Sequence, residues 1–227
     1  MYFAEYMKRI RQENNLTQNE IAEILNVSSQ SIKMIENGST NFPSKILLGK
    51  LSDYLEKFPV EVASTIIFGE DDYERDEAGY LSNRYLAYKY INGWNIEKNP
   101  ITLNYGTSKI TFSAKIAKRR EPKNTSLIVE FQDLTPFDQI NKTMTLDEAY
   151  DVLATIMTII IQNEESFRRV EVLFDIRDYY ESATFQVLEE ITVYRLPIEM
   201  ILILFDPDTG AICHEVNIGK GTSKYRK

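Results

Sequence analysis

With 227 residues, 43% of them hydrophobic and 26% charged, the chain can bury a real core and has the length of one large domain or two modest ones. Its formal net charge of −8 and pI near 4.9 argue against a protein that coats nucleic acid indiscriminately, but leave room for a local DNA-binding face. One cysteine, Cys213, and one histidine, His214, exclude an internal disulfide and a Cys/His zinc cage, and fit a reducing cytoplasm.

The first residues, MYFAEYMKRIRQENN, carry charge too early for a secretory signal. Residues 1–70 then read as a series of helices. Phe3, Met7 and Ile10 fall at helical spacing. Thr17 caps a helix starting at Gln18, with Glu20 completing a capping box, and Ile21, Ile24 and Leu25 form its apolar stripe. NVSS interrupts the pattern. Ser28 or Ser29 caps the next helix, which turns Ile32 and Ile35 inward and ends at Asn37-Gly38. Pro43-Ser44 opens a fourth helix, and Pro59 a fifth that stops at Gly69.

The acidic stretch EDDYERDE follows, read either as a linker or as the charged first turn of the next helix. The boundary is placed here: a domain over 1–70, an acidic linker over 71–77 and a second domain over 78–227. Residues 78–91 read as a helix with Leu81, Tyr85 and Tyr88 on one side. KITFSAKIAK and TSLIVEFQDL read as strands joined by the turn RREPKN. Thr145 and Glu148 form a second capping box, opening a long amphipathic helix through Leu146, Tyr150, Leu153, Met157 and Ile160. That helix contains the longest apolar run, VLATIMTIII, about half the ~20 residues of a membrane span, so it reads as buried rather than spanning. VEVLFDI is a strand, and 178–194 a helix stopped before Pro197. EMILILF and AICHEVNI are strands flanking the hairpin turn DPDTG. The order implies an α+β or α/β domain with helices packed on a mixed or antiparallel sheet.

A helix that enters the major groove must be braced by a second helix across its back, so the joint must be short and the crossing residues small. Ala22 supplies the small residue, and Asn26 stands at the turn, where a left-handed backbone is wanted. Val27, Ile32 and Ile35 fill the space between the helices, and Ser29, Gln30, Lys33 and Met34 project outward.

TQNEIAEILNVSSQSIKMIENG resembles the helix-turn-helix of the phage Cro/CI repressor group, the XRE family, at Gln18, Ala22, Val27, Ile32, Ile35 and Glu36-Asn37-Gly38. The resemblance covers roughly the first third of the chain. It implies an all-α, five-helix, lambda-repressor-like domain, usually acting as a dimer on a two-fold operator in double-stranded DNA. It further implies that Ser29, Gln30, Lys33 and, more weakly, Met34 face base edges. Thr17, Gln18, Asn37, Ser39 and Thr40 would touch the phosphate backbone. Chemistry agrees, since Gln pairs with adenine through two hydrogen bonds and Lys donates to guanine. The sequence departs from the family at Asn26, most often Gly, and in the loop GSTNFPS, which lacks the Lys or Arg often found there. Seven basic residues against nine acidic ones over 1–70 give a balance of −2, so one copy should bind weakly and dimerisation should supply affinity.

In the second domain, GYLSNRYLAYKYINGW is read as core or subunit contact, with an aromatic platform as the alternative. KIAKRREPK and the tail KGTSKYRK can add phosphate contacts or be a solvated loop and a frayed end. Glu130, Asp175, Asp178, Asp206 and Asp208 lie near strand ends. A metal-dependent nuclease would want an acid-x-Lys pair, and Gln132 stands where that Lys would be, so Asp206 and Asp208 read better as turn formers. Cys213 reads as buried and His214 as exposed, since neighbours on a strand face opposite sides. No phosphate loop, serine elbow, metal motif or cofactor motif is found.

The expected function is a sequence-specific DNA-binding transcription regulator, a repressor, cytoplasmic, dimeric and not an enzyme, whose C-terminal domain regulates, oligomerises or binds a protein partner. The competing reading is a protein-binding inhibitor or accessory factor of a mobile element. It would act through residues beyond 70, whose balance of −6 suits a basic target. A metal-dependent nuclease is a third.

Overall fold

The computed structural model describes residues 3–69, 79–105, 108–131, 169–189, 193–194 and 199–220, with isolated positions between 145 and 158. By contact the chain divides into two compact units: Met1–Ile91 with Asp208–Gly210, and Asn92–Pro207 with Ala211–Lys227. The expected linker over 71–77 lies outside the described residues.

The first unit holds α1 (Phe3–Glu13), α2 (Gln18–Ile24), α3 (Ser29–Glu36), α4 (Lys45–Leu55), α5 (Pro59–Phe68) and α6 (Tyr80–Ile91). Each start has a sequence cause. Thr17, Ser28 and Ser44 cap α2, α3 and α4 through their hydroxyls, and Pro59 sits at the first turn of α5, where its missing N–H costs nothing. Gly69 then ends α5 in the left-handed conformation. The core gathers Phe3, Met7 and Ile10 of α1, Ile21 and Leu25 of α2, Ile32 and Ile35 of α3, and Leu51 of α4. Val62 and Ile66 of α5 complete that side.

Two details differ from the sequence reading. Ile24 is 48% exposed, because Ile21, Ala22 and Leu25 already span the inward arc of α2 and Ile24 falls outside it. In α6, which falls in the span assigned by sequence to the second domain, Ala87 joins the core of the first unit. Burial on α6 extends to Tyr80, Ser82, Asn83, Leu86 and Lys89 besides Leu81 and Tyr85, so it has no single inward side.

The second unit is built on a six-stranded mixed sheet, in order β1 (Trp94–Glu97), β4 (Ala114–Lys118), β5 (Glu121–Glu130), β6 (Arg169–Asp175), β8 (Glu199–Asp206), β9 (Ala211–Asn217). β5, β6 and β8 run parallel, and β1, β4 and β9 run antiparallel to their neighbours. A hairpin of β2 (Ile101–Tyr105) with β3 (Ser108–Phe112) and a short parallel pair of β7 (Val193–Tyr194) with β10 (Gly219–Lys220) complete the strands. α7 (Tyr179–Glu189) packs Phe185 and Leu188 on one face of the sheet, over Leu127, Val129, Val170, Val172, Phe174, Met200 and Leu202. Alternate residues Ile128, Leu173, Ile201 and Ile203 are also buried, together with Ser126 and Glu171, so the parallel strands are buried on both faces, as crossover-connected strands commonly are.

KITFSAKIAK, expected as one strand, bends at Ser113. The Ser113 N–H bonds the Ile128 carbonyl, β3 pairs with β2, and β4 joins the main sheet. Of the helix expected over 178–194 the described part is Tyr179–Glu189, and Val193–Tyr194 forms β7 instead. Most of the expected helix through Ile160 lies outside the described residues, but its capping box is present: the Thr145 N–H reaches Glu148 at 2.7 Å and the Glu148 N–H reaches the Thr145 hydroxyl at 3.4 Å. Cys213, expected to be buried, is exposed on β9, which is the last strand of the sheet and is covered on neither face as fully as β8. Among the described residues no helix is long and apolar enough to cross a membrane.

Phe174 is fully buried between Phe131, at 4.5 Å centroid to centroid, and Phe185, at 5.4 Å. Phe174→Ala should cost about 3–5 kcal/mol of stability, read as a shift in the urea midpoint at unchanged slope.

Candidate nucleic-acid interface

Three successive helices end by the same local device. After α1, α2 and α3 the chain turns through a left-handed residue, Asn15 (φ 53), Asn26 (φ 47) and Gly38 (φ 79). In each case the following N–H reaches back over a full turn: Leu16 to the Arg11 carbonyl, Val27 to Ala22, Ser39 to Met34, all at 2.9 Å. This Schellman arrangement satisfies carbonyls that a helix end would otherwise leave open, and it reverses the chain within two residues. At Asn26 the reversal is reinforced from outside, since Lys50 Nζ donates to the Asn26 carbonyl at 2.8 Å. The short joint between α2 and α3 is therefore fixed by backbone bonds rather than by length alone. Ala22, 3% exposed, occupies the inward side of α2 beside the Ile32 and Ile35 core.

The far end of α3 is held by a charge. Glu36 is 5% exposed and receives three hydrogen bonds. Arg11 Nε donates to Oε1 at 2.7 Å, Arg11 Nη2 to Oε2 at 3.1 Å, and Gln18 Nε2 to Oε2 at 2.8 Å. Arg11 Nη1 also donates to the Leu16 carbonyl at 3.1 Å. One carboxylate thus joins α1, the turn after it, the start of α2 and the end of α3. Burial disfavours the charged form of Glu36, but the Arg11 and Gln18 hydrogen bonds and the nearby Arg11 and Lys8 charges outweigh it and hold the carboxyl below its ordinary range. The same hydrogen bond with Glu36 pushes the Arg11 guanidinium further up, against its own desolvation. Neither residue was assigned this part from the sequence. The readable signal was position: Glu36 lies one turn after Ile32 on the inward side of α3, and a charge there requires a partner.

With its inner side occupied, α3 turns Gln30, Lys33 and Met34 to solvent, Met34 being 44% exposed, and Asn37 follows on the next turn. Ser29 is half-buried at the edge of that surface. Of the residues expected to meet phosphate, Thr17 and Ser39 are exposed and Thr40 is half-buried. Thr17 is engaged in its capping box, its N–H bonded to Glu20 at 2.7 Å, and Asn37 Oδ1 accepts the Ser39 N–H at 3.0 Å. Gln18 directs its amide inward to Glu36, so its side chain ties α2 to α3. The basic residues of this unit are largely committed within it. Arg11 is held by Glu36, Arg9 lies 3.9 Å from Glu13, Lys57 lies 2.9 Å from Glu61, and Lys50 bonds the turn.

The acids near strand ends in the second unit also have local structural partners. Asp175 meets Arg177 at 2.6 Å, and Asp178 caps α7 by accepting the N–H groups of Tyr180 and Glu181. Among the described residues no group of three or more His, Cys, Asp or Glu side chains is placed to hold a metal ion.

The arrangement of α2 and α3 is that of a helix-turn-helix, two helices joined by a tight turn with the outer side of the second left exposed. Comparison with known families agrees: residues 7–60 match the helix-turn-helix family, a span running from α1 into the first turn of α5. No curated protein and no solved structure matches the chain.

Glu36→Gln should lower stability by about 1.5–3 kcal/mol, because it removes a charge-assisted bond and leaves Arg11 without its counter-charge. The carboxyl titrates lower in the folded than in the unfolded chain. Its stabilisation is therefore complete above the ordinary carboxylate range, and it fades as the pH falls through the depressed folded value. Urea unfolding of the wild type should show this acid-side loss between about pH 5 and pH 3, and Glu36→Gln should flatten that part of the curve.

Proposed function

We propose that the chain is a sequence-specific transcription regulator, a repressor, that binds a two-fold operator as a homodimer. In this reading Gln30 and Lys33 contact base edges, with Ser29 and Met34 beside them, and Thr17, Asn37, Ser39 and Thr40 lie along the phosphates, Gln18 being turned inward to Glu36. The observation that carries it is the solvent-facing side of α3, where Gln30 and Lys33 stand exposed on a helix pinned at both ends. Gln offers a bidentate partner to adenine and Lys a donor to guanine. The balance of −2 over residues 1–70 favours two copies acting together, because one copy neutralises few phosphates. The second unit supplies dimerisation, sensing or a protein-binding surface, and the protein acts in the cytoplasm without catalysing a reaction.

Selection of duplexes from a random pool by the full chain should return inverted half-sites whose centres lie about 34 Å apart, one turn of DNA. Gln30→Ala and Lys33→Ala should each cost about 1–3 kcal/mol of operator affinity and relax the choice at one base position per half-site. Unchanged affinity and an unchanged selected sequence in both variants would sink the assignment.

A further inference from the structure

We propose that the β4–β5 hairpin of the second unit is a second contact for duplex DNA, seating Lys118, Arg119 and Arg120 on backbone phosphates. The proposal rests on the reading that the chain binds duplex DNA, and adds to it a surface outside the helix-turn-helix. Three observations carry it. The first is a shortage: of the basic residues in the first unit, Arg11, Arg9, Lys57 and Lys50 already face partners of their own. Much of the affinity of a duplex binder comes from phosphate neutralisation, so a cluster of positive charge elsewhere in the chain adds to what dimerisation supplies.

The second observation is charge. Residues beyond 70 carry a balance of −6, yet Lys115, Lys118, Arg119 and Arg120 fall within six consecutive positions. Lys118, Arg119 and Arg120 are all exposed. A positive island on an acidic unit is complementary to a polyanion, whereas its surroundings repel one.

The third is construction. Arg119 and Arg120 form a two-residue turn between Lys118 and Glu121, which are register partners across β4 and β5, so both arginines lie at the tip of the β4–β5 ribbon, whose β4 strand is also paired with β1 and whose register shifts between Ala117 and Lys118. Its base is anchored. Lys118 lies opposite Trp94 on β1 with its ammonium 5.7 Å from the indole centroid, and the Arg119 N–H bonds the Gly93 carbonyl at 3.1 Å. The buried Trp94 ring thus supports the ribbon just behind its tip. Arg suits this place because its planar fork donates two hydrogen bonds to one phosphate. Such a ribbon meets phosphate without reading sequence, so it adds affinity and salt dependence but no base preference.

The test uses the full chain with Lys118→Ala, Arg119→Ala and Arg120→Ala combined, titrated by fluorescence anisotropy over a range of salt. The probes are the selected operator, a random-sequence duplex and an RNA hairpin. The slope of log affinity against log salt should fall on both duplexes by about 2–3 for each copy bound, at about 0.9 for each phosphate no longer neutralised, while the operator's base preference stays the same. Arg119→Lys with Arg120→Lys should restore most of the slope, which a folding defect would not allow. In the Gln30→Ala, Lys33→Ala background the random duplex should still bind, and the hairpin substitutions should still weaken it. An unchanged duplex slope overturns the proposal, as does a weakening confined to the RNA probe. Absence of binding to any duplex by the wild type overturns it together with the regulator reading, and is distinguished by the operator probe failing too.

Discussion

The arrangement of α1, α2 and α3 depends on one buried carboxylate being kept charged. Glu36 sits where the inward side of α3 would otherwise continue as aliphatic core, and its charge is tolerable only because Arg11 and Gln18 reach it from two other helices. A buried ion pair of this kind adds little net stability compared with a well-packed apolar alternative. What it adds is direction. An aliphatic contact permits sliding and rotation, whereas three hydrogen bonds to one carboxylate fix how α3 is rotated about its own axis. That rotation decides whether Gln30 and Lys33 face outward together.

The two ends of α3 are secured by different physics, which suits their different tasks. At the start, the reversal at Asn26 is made of backbone hydrogen bonds and one lysine, and its cost is a non-glycine residue held at φ 47. Asparagine bears that cost better than most residues, so the turn is maintained without a glycine. At the end, Gly38 closes the helix and leaves the exposed Asn37 and Ser39 in a tight local turn. The exposed side of α3 is thus short, about two turns, and held by hydrogen bonds at both limits. Its scarcity of positive charge is the other side of the same design, because basic residues that could have reached DNA are used to hold the scaffold together.

The second unit shows a different division of labour. Its parallel strands β5, β6 and β8 are largely buried on both faces, and its edge strands β1 and β9 carry exposed polar side chains such as Asn95, Glu97, His214 and Glu215. Chemistry-bearing residues therefore collect at the margins of the sheet and at the turns. Asp175 and Asp178 there serve turns and caps, while the β4–β5 tip gathers three successive cations at the end of a braced ribbon.

The sequence by itself determined the helix starts and stops of the first unit. A capping hydroxyl, a proline at the first turn or a glycine past the last acts within a few residues, so Thr17, Ser44, Pro59 and Gly69 could be read in place, while the structure chose Ser28 over Ser29 as the cap of α3. The apolar runs that became β6, β8 and β9 were equally plain. What only the tertiary structure decided involves partners far apart in the chain. Nothing near Glu36 in sequence announces Arg11, 25 positions away. Ser113 breaks one apparent strand into two only because β2 and β5 compete for its flanks. Cys213 is exposed because β9 ends the sheet, and α6 is buried nearly all round because of what surrounds it. Local signals are fixed by short-range sterics and hydrogen bonds, whereas burial and charge pairing are properties of the assembled fold.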